Sequence, residues 1–126
     1  MTRASFPALL GVLLGALLGA SLFTRPANAQ IAVLQGLDKV TARISTLDAP
    51  LDRTIRFGTL SIVARHCSKT PPEELPEVKI YLEIQEARPG EVPIPLFRGW
   101  MFASSPAVSA LEHPVYDVWA IDCRTN

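Results

Sequence analysis

A period of two dominates this chain. Ile80, Leu82 and Ile84 alternate with Lys79, Glu83 and Gln85, the pattern of a strand with one buried face and one wet face. The same alternation sets Val40, Ala42 and Ile44 against Thr41, Arg43 and Ser45 in a strand near 39–46. It recurs with Ile55 and Phe57 against Thr54 and Arg56, and with Leu60, Ile62 and Ala64 against Ser61 and Arg65. Past residue 29 no apolar stripe of helical period lasts beyond two turns. Prolines punctuate the strands. Pro71, Pro72 and Pro76 lie in 68–77, and Pro89, Pro93 and Pro95 in 87–95, where missing amide donors forbid a central strand. Ala107 to Leu111 reads as one helical turn, capped by Ser105 and started by Pro106. The chain is therefore expected to be all-β, a small closed or nearly closed barrel or sandwich of about five to seven strands.

The first 29 residues follow a different rule. Arg3 precedes an apolar run from Phe6 to Phe23, and Ala27-Asn28-Ala29 offers the small side chains of a peptidase site. A Sec-type signal peptide over 1–29, cleaved after Ala29, is the reading; the run also reaches the lower length of a spanning helix, so an uncleaved anchor competes with it. Either outcome places the remainder in the periplasm, with membrane contact only in transit. Residues 30–38 are read as a leader and 39–126 as a single β domain.

Cysteine usage agrees with that address. Cys67 and Cys123 are the two cysteines, and an oxidising compartment joins such a pair. Their bridge would close a loop that stabilises the fold by about 4 kcal/mol on chain-entropy grounds. A domain of this size sits near the stability margin, so the bond matters.

Composition removes whole classes of function. Apolar residues make up 48% of the chain, too many for a disordered one, and 12 basic residues balance 12 acidic ones without a cluster to track phosphates. Nucleic acid is not an expected partner. Ser104 or Ser105, His113 and Asp117 supply the residue types of a nucleophilic triad, but no Gly-x-Ser-x-Gly elbow accompanies them. They form the alternative reading, a small serine-type hydrolase. His66 and Cys67 with His113 and Cys123 lack the paired spacing of a zinc site, and the two cysteines lie too far apart for a redox dithiol. Glu73, Glu74 and Glu77 stand on the proline-rich loop, where exposed carboxylates are ordinary. No cofactor is expected.

Aromatic residues concentrate near the end. Phe97, Trp100, Phe102, Tyr116 and Trp119 fall within a short stretch of the chain, and its two strand-like segments, 97–103 and 115–123, are apolar on both faces. Trp100 and Phe102 share one face of a strand, Met101 and Ala103 the other. One face can fill a small core, which leaves the other to cover a groove, pair with a partner or close a barrel. Indoles and phenols are the usual anchors of such contacts.

The segments Leu37-Asp38-Lys39-Val40-Thr41-Ala42-Arg43, Phe57-Gly58-Thr59-Leu60, Gly99 to Pro106 and Leu111 to Trp119, taken with both cysteines, resemble a family of exported alphaproteobacterial proteins catalogued as domain of unknown function 2155. The resemblance covers nearly everything past the signal. It implies an alphaproteobacterial envelope address and assigns no catalytic residue. The expectation is a non-enzymatic envelope module that binds a protein or cell-wall component through Trp100, Phe102, Tyr116 and Trp119, with Arg98 and His113 as a polar rim.

Overall fold

A computed structural model describes residues 30–125; the expected signal peptide lies outside them. The fold is all-β, with one short helix. In chain order the elements are β1 (Gln30–Asp38), β2 (Arg43–Pro50), β3 (Thr54–Phe57), β4 (Leu60–Lys69), β5 (Val78–Glu86), β6 (Ile94–Phe102), α1 (Pro106–Ser109), β7 (Leu111–Glu112) and β8 (Tyr116–Thr125). They build two four-stranded antiparallel sheets, β2-β1-β8-β7 and β3-β4-β5-β6.

The expected barrel does not close. Each sheet keeps two edges, and the described residues form eight strands where five to seven were expected. The additional strands are the two-residue β7, too short to leave a pattern, and β1, the segment read as a leader. β1 pairs with β2 on one side and β8 on the other, so residues 30–38 are the centre of their sheet. A register shift between Val33 and Leu34, opposite β8, interrupts the alternation, and Ile31, Ala32, Val33 and Leu34 are all buried. A nearly continuous apolar run is the consequence, and it hides the period of two.

The strand expected near 39–46 begins later. Val40 and Thr41 donate their amides to Asp38 Oδ1, and Ala42 takes a positive φ of 59°, so 39–42 is a turn. Asp38 is thus the local cause of the reversal. β2 starts at Arg43 and leaves Ile44 on the surface, 59% exposed.

Between the sheets lies one core. β4 contributes Leu60, Ile62, Ala64 and Cys67; β5 contributes Val78, Ile80, Leu82 and Ile84; Met101 enters from β6, and Leu34, Val118 and Ala120 face them from the other sheet. The alternation legible at 80–84 is the inward phase of β5. Cys67 of β4 and Cys123 of β8 form a disulfide across the two sheets, with Cα atoms 5.9 Å apart. The bond fixes one sheet against the other at one end of the core.

Two glycines permit close approach elsewhere. A Cβ on Gly36 would lie 2.6 Å from the Phe57 ring, and Gly58, at φ 59°, backs directly onto the Tyr116 hydroxyl. Phe57 and Tyr116 in turn pack ring to ring at 5.2 Å.

Candidate functional site

Strand parity decides which aromatic side chains are free. In β6, Met101 turns inward and is 1% exposed, so Trp100 and Phe102 turn outward, as the alternation requires. Trp100 stands 40% exposed on the outer face of its sheet. Cross-strand pairing then assembles a cluster the sequence alone does not join. His66 of β4 sits opposite Tyr81 of β5, and Tyr81 sits opposite Trp100. The Trp100 indole meets Tyr81 edge-on at 5.4 Å and lies roughly parallel to the His66 ring at 6.0 Å; Lys79 Nζ stands 5.6 Å from its centroid.

Charged groups frame the rings. A register shift between Ala64 and His66 leaves Arg65 unopposed in the β4 ladder. Its guanidinium reaches Asp52 Oδ1 at 3.0 Å and Glu83 Oε1 at 3.2 Å. Hydrogen bonds donated to Asp52 and to Glu83 raise the Arg65 pKa further, so this cation is permanent. Asp52 is held in turn by its own backbone, whose amide donates to the Ala64 carbonyl at 2.8 Å. Asp52, Arg65, His66, Tyr81, Glu83 and Trp100 enclose an open concavity of about 570 Å³. A second hollow of about 550 Å³ continues from it past Arg65 and Glu83 to Phe97 and Arg98. Arg98, on the rim, lies 3.9 Å from Glu83.

The six residues expected to form one surface lie in three places. Arg98, Trp100 and Phe102 share the outer face of the β6 sheet. Trp119 is opposite Gln35 on the other sheet, half-buried and out of phase with the inward Val118 and Ala120. His113 and Tyr116 lie partly buried beside Glu86 and Phe57, away from Trp100. Their rings stack at 5.5 Å, and Tyr116 packs against the core.

His113 anchors a compact polar cluster there. Val115 donates its amide to His113 Nδ1 at 3.0 Å, so the neutral ring carries its proton on Nε2 and donates to Glu86 Oε1 at 3.2 Å. Thr59 Oγ1 donates to Glu86 Oε2 at 2.8 Å. The Thr59 bond first, and the His113 bond second, hold the Glu86 carboxyl below the usual glutamate range. This is a satisfied structural network.

The candidate triad residues make their bonds elsewhere. Ser104 Oγ donates to Glu77 Oε2 at 2.6 Å, which lowers the Glu77 pKa. Ser105 precedes α1, where its carbonyl accepts from Ser109 Oγ at 3.2 Å; its side chain makes no cap bond. Asp117 Oδ1 pairs with Lys39 Nζ at 2.9 Å. Glu73 and Glu74 are exposed, and Glu77 closes the proline-rich loop onto Thr70. Among the described residues no group of three His, Cys, Asp or Glu side chains could hold a metal ion.

Sequence reasoning missed Asp52, Arg65, His66, Tyr81 and Glu83. One signal was present: Tyr81 is an aromatic residue in the polar phase of the clearest strand. The pairing of β4, β5 and β6 that joins it to His66 and Trp100 leaves no local trace.

A family model described as "Uncharacterized protein conserved in bacteria (DUF2155)" matches residues 32–123. The chain belongs to that family. The match runs from within β1 to Cys123 in β8 and so covers nearly all of the described fold. A relative, "Uncharacterized protein RP359" of Rickettsia prowazekii (strain Madrid E), is 32% identical over 87 residues, which is 69% of this chain and 56% of the relative. The chain thus spans just over half the length of that relative. No solved structure matches it.

Proposed function

We propose that this DUF2155 chain is an exported, non-enzymatic recognition module of the cell envelope, working through the outer face of the β4-β5-β6 sheet. Trp100 is its anchor. The observation that carries the reading is an indole left 40% exposed above a concavity framed by Asp52, Arg65, Glu83 and a second ring, Tyr81. A small domain gains nothing in stability from leaving that apolar surface in water, whereas a partner covering it gains an anchor surrounded by fixed polar groups. Arg65 and Glu83 hold each other in place, so they present hydrogen-bonding groups at little entropic cost on binding. The disulfide and the shared core supply the rigid support beneath.

The N-terminal segment and the bridge between Cys67 and Cys123 support the periplasmic address. Site-specific photo-crosslinking in intact cells tests the reading. A photoreactive residue at Arg98 should give a discrete adduct with a different molecule, distinct in mass from a dimer of this chain, that Trp100→Ala reduces and Trp119→Ala does not. Adducts indifferent to Trp100→Ala would end the proposal.

A further inference from the structure

β6 is an edge strand whose centre lacks hydrogen-bond partners. Ala103 donates its amide to the Val78 carbonyl at 2.9 Å, which fixes the phase of the β5-β6 ladder. Met101 and Gly99 share the phase of Ala103 and direct their backbone groups toward β5; Arg98, Trp100 and Phe102 direct theirs away. The chain that follows satisfies Phe102. Its amide donates to Ser109 Oγ at 2.9 Å and its carbonyl accepts from the Ser105 amide at 3.1 Å. Among the described residues no hydrogen bond reaches the outward amide or carbonyl of Arg98 or Trp100.

Two of the other edges are short, β3 with four residues and β7 with two, while β2 carries charges at Arg43 and Asp48 and ends on Pro50. β6 runs for nine residues with Ile94 54% and Trp100 40% exposed.

We infer that β6 pairs with β6 of a second copy, antiparallel about a two-fold axis at Gly99. Of the registers centred on Arg98, Gly99 and Trp100, backbone phase and side-chain chemistry leave one. Centring the pair on Arg98 opposes two like charges, which is unfavourable. Centring it on Trp100 sets Arg98 against Phe102, whose backbone groups are already engaged. Centred on Gly99, Arg98 faces Trp100 of the partner subunit and Trp100 faces Arg98 of the partner subunit. Each pair exchanges two backbone hydrogen bonds and places a guanidinium beside an indole. Gly99 meets its own copy at the closely spaced position of the ladder, where the absence of a side chain removes crowding. The two sheets become one eight-stranded sheet, and the outer-face shelves become neighbours, each rimmed by an arginine of the other copy. The contact is short, so the dimer is weak and concentration-dependent.

Sedimentation of the protein recovered from cells with the Cys67–Cys123 bond intact tests this. A monomer–dimer equilibrium near about 100 μM is expected. Arg98→Pro removes an outward amide without touching the β5 ladder and should weaken it at least about tenfold; Arg98→Ala, which keeps the amide, should weaken it less. If Arg98→Pro fails to fold, Gly99→Cys decides. Under mild oxidation it should form a disulfide-linked dimer, because the register holds the two positions within bridging range, and Ile94→Cys should not. Monomer at all concentrations up to about 1 mM, or a dimer that does not crosslink through position 99, overturns the inference. Neither result bears on the outer face as a recognition surface, which the photo-crosslinking tests separately.

Discussion

Removing the Cys67–Cys123 bond should cost this fold a large share of its stability. The two positions are 56 residues apart, so the bridge closes a 57-residue loop. Chain-entropy arithmetic gives a loss of about 14 cal/mol/K in the denatured ensemble, or about 4 kcal/mol at 25 °C. Domains of this size hold about 5–15 kcal/mol in all. Both cysteines are 7% exposed in the core, so Cys67→Ala with Cys123→Ala also removes packed sulfur, adding roughly 1 kcal/mol. Urea unfolding followed by tryptophan fluorescence measures the sum. Reduced wild-type protein keeps both sulfurs, and comparing the two separates packing from loop entropy. The expected result is a markedly lower midpoint with a modestly steeper slope, because an unbridged denatured chain exposes more surface. A loss under about 1 kcal/mol would refute the reasoning, since it would mean that the bridge removes little conformational freedom from the denatured chain.

Other perturbations probe single contacts. Gly58→Ala combines a positive φ with overlap on the Tyr116 hydroxyl and should cost about 1–3 kcal/mol in the same urea assay. Trp100→Ala should lower thermal stability little, because the ring is on the outer face, while weakening partner capture roughly 30-fold if it is the anchor; a collapse of the melting temperature would assign the ring a structural role. Acid should destabilise the fold in a defined window. Glu77, Glu86 and Asp122 all have folded pKa values below their ordinary 4.5, 4.5 and 3.8, held there first by Ser104, Thr59 and Lys69 respectively. Their contribution is complete above those ordinary values and is lost as pH falls through the lower folded ones. Melting temperature should therefore be flat from neutral pH to about 5 and fall below about 4.5, with Glu86→Gln flattening that fall. An unchanged acid profile in Glu86→Gln would show that the Thr59 and His113 bonds do not favour the carboxylate.

Period and punctuation determined much of this molecule before any contact was known. The alternations at 54–57, 60–64 and 80–84 mark β3, β4 and β5 because a strand half-buried against one core must repeat every two residues. Met101 and Trp100 were assigned to opposite faces for the same reason. Pro106 marked the start of the helical turn at Pro106–Ser109, although the expected Ser105 side-chain cap is not made. Where periodicity was broken, sequence reading failed. β1 is paired on both sides and shifts register midway, so its residues read as an undirected apolar run. Asp38 converted the expected strand at 39–42 into a turn through side-chain bonds that compete with strand propensity. The candidate site depended most on tertiary structure. Trp100, Phe102, Tyr116 and Trp119 are neighbours in sequence, yet two antiparallel sheets send them to separate places, with Tyr116 partly buried against the core. Tyr81, His66 and Arg65 are distant in sequence, yet adjacent strands bring them to Trp100. Local pattern specifies which way a side chain points from its own strand; only pairing between strands decides what it points beside.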